Sequence, residues 1–150
     1  MSTRSYPIID YGLTLTFEEL SNLIKTYYGD NEKIKEEIKN NKEEYLDIDF
    51  IDELVYGDFS NFCMVGNFKG EFSNFEENNS KDFGGYGDET LYYIPLMKAD
   101  VTKSEILFQK YENMDEVYNE IKEILEDLKV KFDMDFIKKN TGKIEGIYCG

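Results

Sequence analysis

Between Thr16 and Tyr27 the apolar residues Phe17, Leu20, Leu23, Ile24 and Tyr27 recur every three or four positions, the period of one buried helix face. Thr16 and Glu19 have the spacing of a capping box, in which each side chain satisfies the other's backbone amide, and Gly29 supplies a left-handed stop. This predicts a helix near 17–28. A second, near 31–46, opens on Asp30 or Asn31; its apolar positions are sparse (Ile34, Ile38, Tyr45, Leu46), so it rests on propensity and on i,i+4 charge pairs. Phe50, Ile51, Leu54 and Val55 predict a short third helix that ends at Gly57. The longest periodic run, from Met114 through Val117, Tyr118, Ile121, Ile124 and Leu125 to Leu128, predicts a helix near 113–128 with Asn113 and Glu116 at its start.

From Phe59 to Phe75 alternation replaces the helical period. "GDFSNF" at 57–62 returns as "GEFSNF" at 70–75, and a two-residue turn at Gly66–Asn67 makes the two copies antiparallel arms of one hairpin. In that register Val65 faces Phe68, Cys63 faces Gly70 and Asn61 faces Phe72, with Phe59 and Phe72 on the core side and Phe62 and Phe75 on the other. Further strands are predicted near 90–97, where Pro95 requires an edge or a bulge, and near 144–149. Pro7–Leu15 reads as an extended lead-in or edge strand, Glu105–Phe108 as a short extended piece, and Asp133–Lys139 as a turn or short helix. Glu76–Glu89, glycine-rich and without a period, reads as a mobile loop. Helices and strands come in groups, not in βαβ alternation. The predicted class is therefore α+β, a small antiparallel sheet (hairpin 59–75 and strands near 90–97 and 144–149) on helices near 17–28, 31–46 and 113–128. A chain of 150 residues fits one domain, 1–150, with a core that needs no metal or disulfide.

Charge narrows the function. With 32 Asp and Glu against 17 Lys and Arg and no His, the net charge is −15. Such a surface repels phosphate backbones and anionic lipid, which argues against direct contact with nucleic acid or membrane, and it attracts a basic partner. Without His there is no Ser-His or Cys-His nucleophile and no His-ligated metal, so neither a catalytic residue nor a cofactor is predicted. The Asp-x-Asp pairs Asp47/Asp49 and Asp133/Asp135 are the remaining places for a hard cation, although an EF-hand begun at Asp133 fails at Ile137 and Lys138. "FGGYGDE" at 83–89 lacks the spacing of either phosphate loop and reads as a flexible, aromatic-tipped segment. Cys63 and Cys149 form no CxxC, and no run of eighteen apolar residues exists, so both thiols are expected to be reduced and buried in a cytoplasmic protein.

The acids also have a pattern. Glu112, Glu116, Glu120, Glu123 and Asp127 fall on one helix face away from the apolar seam, at steps of about 6 Å, close to the spacing of phosphates along a strand. Like charges at i,i+4 cost a few tenths of a kcal/mol per pair, so helix stability does not explain the stripe. A second concentration runs from Lys42 to Asp58 and includes Asp47, Asp49, Asp52 and Glu53; a third sets Glu76, Glu77, Asp82, Asp88 and Glu89 against Lys81. Phe83 and Tyr86 are candidate aromatic anchors among these rim charges. In size, acidity and lack of catalytic signature the chain resembles the inhibitors, anti-CRISPR proteins among them, that phages and mobile elements direct against host defence. That resemblance of profile implies a non-catalytic inhibitor that blocks the nucleic-acid-binding surface of a nuclease or CRISPR-type effector by charge mimicry. Two alternatives stand beside it: an immunity, scaffold or small-ligand-binding module for a basic partner, and a metal-dependent enzyme built on the Asp-x-Asp pairs.

Overall fold

The computed structural model describes residues 5–27, 31–84, 89–97, 114–128 and 132–149. In chain order their elements are β1 (Ser5–Leu15), α1 (Phe17–Tyr27), α2 (Glu32–Asn40), α3 (Ile48–Tyr56), β2 (Cys63–Val65), β3 (Phe68–Asn74), β4 (Ser80–Phe83), β5 (Leu91–Met97), α4 (Met114–Asp127), α5 (Met134–Asn140) and β6 (Thr141–Cys149). Every pairing is antiparallel, in one six-stranded sheet of order β2-β5-β1-β6-β3-β4. The class is α+β, as the grouping of elements predicts.

The helix starts follow local chemistry. The Glu19 amide donates to Thr16 Oγ1 at 3.2 Å and the Thr16 amide donates to Glu19 Oε1 at 3.0 Å, closing the capping box. Asn31 caps α2 by accepting from the Lys33 and Ile34 amides, and Asp133 caps α5 by accepting from the Phe136 amide at 2.8 Å. α2 ends at Asn40, short of the predicted 46, because its only fully buried side chain is Ile34 and no apolar residue lies between Ile38 and Tyr45 to hold another turn. Asn113, Gly29 and the 105–108 segment lie outside the described residues.

The sheet departs from the predicted hairpin. Gly66–Asn67 does turn, with Asn67 at a left-handed φ of 54°, but β2 pairs with β5, and β3 pairs with β4 and β6. The Phe68 amide donates to the Glu89 carbonyl at 2.9 Å in place of Val65. The first repeat copy forms the turn after α3, the second forms β3, and they share no pairing. In a flat sheet β2 and β3 would stand four spacings apart, about 19 Å, whereas three residues of chain span at most about 11 Å. The sheet therefore rolls until its two sides approach.

Three other expectations are corrected here. β1 is a central strand between β5 and β6, since Leu13 and Leu15 are buried on one face and Asp10 and Thr14 on the other. The 76–89 segment is not all loop, because Ser80–Phe83 pairs with Gly70–Ser73. Cys63 is exposed, not buried. It lies level with Tyr93 and Thr14 on β5 and β1, whereas Cys149 pairs with Ser5, some 30 Å along the strand direction, which puts the two beyond disulfide reach. Pro95 sits where the β1–β5 register shifts, at the bulge opposite Tyr11/Gly12.

Rolling gives the sheet two apolar faces. The outer one carries Leu13, Leu15, Tyr92 and Ile94 and packs on the five described helices. The inner one collects Phe68, Phe72, Phe83, Leu91, Tyr93 and Ile144. Gly70 and Gly146 face each other across β3 and β6, and a Cβ on Gly146 would lie 2.6 Å from the Phe68 ring, so the missing side chains make room for that ring. Phe59 and Phe62 of the first repeat copy join the helix-side core, Phe72 of the second joins the inner core, and Phe75 packs on the helix side. The repeat is core architecture.

Candidate partner-binding surface

α4 is pinned by Val117, Tyr118, Ile121 and Leu125, which are buried on one side. That leaves Glu116, Glu123 and Asp127 exposed and Glu120 half-buried, so four of the five predicted stripe residues share the outer side; Glu112 lies outside the described residues. Lys122, the nearest cation in the helix, pairs at 3.9 Å with Glu126, which is not part of the stripe.

α3 treats its acids differently. Asp47 is the N-cap and accepts from the Asp49 amide at 3.2 Å. Asp52 Oδ1 accepts from the Tyr92 hydroxyl at 2.9 Å, and burial, followed by the Asp52 carboxylate, pushes that hydroxyl well above the ordinary tyrosine range. Asp49 and Glu53 remain exposed. Beside them Tyr56 is 79% exposed and Ile48 46% exposed. Sequence reasoning missed both: Tyr56 stands off the Ile51, Leu54 and Val55 face, whereas Ile48 is in step with Ile51 and Val55 and is exposed at the first position of the helix.

Of the two predicted aromatic anchors, Phe83 is corrected. It ends β4 at 1% exposure, edge-to-face with Phe68 at 5.5 Å, and so belongs to the inner core. Alternation along β4 puts it on the face of Phe72 and Lys81. Tyr86 lies outside the described residues. In both Asp-x-Asp pairs the first Asp is a helix cap, of α3 and α5, and among the described residues no group of three or more His, Cys, Asp and Glu is placed to hold a metal ion.

Two charged side chains turn inward. Lys81 is only 10% exposed: it pairs with Glu19 at 3.0 Å, donates to the Thr14 carbonyl and Asn140 Oδ1 at 2.6 Å each, and lies 5.0 Å from the Phe72 ring centre. Burial pulls its pKa below the ordinary lysine value against the opposing pull of Glu19. It ties β4 to the end of β1 and to α1, so it does not neutralise the acids of the 76–89 segment. Asp10, 2% exposed on the inner face, accepts from the Tyr11 amide at 2.7 Å through Oδ1, while Oδ2 has no hydrogen bond among the described residues. Burial pushes its pKa up to about 6, partly opposed by the Tyr11 amide and by Tyr93. Among the described residues no helix is long and apolar enough to cross a membrane. Compared with protein-family models, curated proteins and solved structures, the chain matches none.

Proposed function

We propose that this protein acts without catalysis, as an acidic inhibitor that covers a nucleic-acid-binding surface of a nuclease or defence effector by presenting carboxylates in place of phosphates. The outer side of α4 carries the reading. Glu116, Glu123 and Asp127 are exposed on a helix whose other side is fixed by four buried residues, so their spacing is held by the backbone. Preorganised charge of this kind gives association rate and selectivity, and the net charge of −15 extends the same field over the molecule. The inhibitor would act in the cytoplasm, where phages and mobile elements meet host nucleases.

The test is affinity capture from the source cells, followed by nucleic-acid binding assays on the purified partner. The expected partner is basic, is released as salt rises, and loses DNA or RNA when this protein is added. A captured partner that binds nucleic acid equally well with and without this protein would sink the mimicry reading and leave an immunity or scaffold role.

A further inference from the structure

We propose that the cleft between the starts of α1 and α3 and the β4 and β5 strands receives an arginine side chain of the partner; this rests on the reading that the partner is basic. The cleft encloses about 330 Å³, the size of a small-ligand site. Phe17, Ile48 and Phe83 supply the apolar part of its lining, and Thr16 and Thr90 line it as well. Ile48 is 46% exposed at the first position of α3, an apolar side chain left uncovered at the cleft mouth. Phe17 is held edge-on by Tyr45, ring centres 6.3 Å apart.

Charge complementarity selects the occupant. Glu18, Asp82 and Glu89 are exposed at the rim, and among the described residues no Lys or Arg lines the cleft. Lys81, the chain neighbour of Asp82, is turned into the fold toward Glu19, Thr14 and Asn140. An anion entering here meets three carboxylates, and a purely apolar guest strips water from them without return. A guanidinium group satisfies both parts of the lining: its plane stacks on an aromatic ring while its edge donates to two carboxylates, and its propyl stem covers aliphatic surface. An ammonium has the charge without the plane or the fork. Arginine is also the side chain with which proteins grip phosphate, so an arginine that ordinarily holds a nucleic-acid strand would find a carboxylate substitute in this cleft.

The experiment uses the full chain with N-acetylarginine amide as probe, N-acetyllysine amide as control, and the Ile48 methyl resonance as readout. The arginine probe should shift that methyl saturably, at least tenfold more tightly than the lysine probe, and at least tenfold less tightly in Glu18→Gln/Asp82→Asn. Both acids are exposed, so the variant's thermal melt should match the parent's; if it does not fold, Glu89→Gln gives the same test from the other rim. An unmoved Ile48 methyl, equal binding of the two probes, or unchanged binding by the neutralised variant each overturns the proposal. These outcomes separate from the charge-mimic reading, because reversal of the α4 acids tests that reading alone: a silent cleft with α4-dependent capture removes only the arginine site, and a working cleft with α4-independent capture removes only the mimicry.

Discussion

The carboxylates of α3 and those of α4 look alike as letters, and the fold treats them differently. On α3, Asp47 satisfies the backbone at the helix start and Asp52 accepts the hydroxyl of fully buried Tyr92. On α4, Glu116, Glu123 and Asp127 stand on the side away from the core. A count of acids along the chain merges these two kinds. The difference also predicts where mutation damages the protein and where it damages only a partner's grip.

The largest expected effect breaks the comparison at α4. Glu116→Lys/Glu123→Lys/Asp127→Lys should weaken binding to the captured partner at least 100-fold and flatten its salt dependence, while urea melts move by less than about 1 kcal/mol. If Asp49→Lys/Glu53→Lys does this instead, α3 is the recognition helix.

Asp10 sharpens the comparison from the opposite extreme, a carboxyl that the fold holds against its own ionisation. A folded pKa of about 6 above an unfolded value of 3.8 means that the proton's stabilisation is complete below 3.8 and is lost as pH rises through 6. Asp10→Asn should therefore be more stable than the parent by on the order of 2–3 kcal/mol at pH 7.5, with the gap closing by pH 4 in paired urea melts. An equal gap at both pH values would assign the effect to packing.

Asp52→Ala should cost about 1–3 kcal/mol, because the Tyr92 hydroxyl is left buried without its charged acceptor. Adding Tyr92→Phe should cost less than the two single changes combined. The smallest effect is at the cap: Asp47→Ala should lower stability by about 1 kcal/mol, and Asp49→Ala two residues on by less than about 0.5 kcal/mol, both read from the same melts.

What was legible in the sequence was local. Thr16 and Glu19 find each other within one helical turn, so their spacing was enough to read the capping box, and the seam of α4 follows the same 3.6-residue logic. Strand pairing depends on distant segments. "GN" indicated a turn and did turn, but Phe68 bonds to Glu89, twenty-one positions ahead, and no periodicity within 59–75 contains that choice. Phe83 read as a loop aromatic because glycines follow it; its burial depends on Gly70 across the β3–β4 ladder and on the Phe68 ring. Asp10 stands in the sequence as one acid in an extended segment. Its place two residues from Ile8 and four from Thr14, on one side of an alternating strand, was the available signal, and only the second neighbour of β1 turns that side inward. At the candidate surface the stripe and Tyr56 were readable from spacing, whereas the exposure of Ile48 and the cleft required the tertiary arrangement of α1, α3, β4 and β5.

β1 and β6 run side by side from the Ser5–Cys149 pair to the Leu13–Thr141 pair, in the middle of the sheet. As the chain leaves the ribosome, α1, α2 and α3 can form at once, but β1 must wait for residues made more than a hundred positions later before its second edge is covered. Closure is thus a late event with high contact order, and the rolled sheet is completed only once β6 has been made. In the interval Leu13 and Leu15 lie on a half-paired strand, and the chain's heavy negative charge keeps such intermediates apart until β6 arrives.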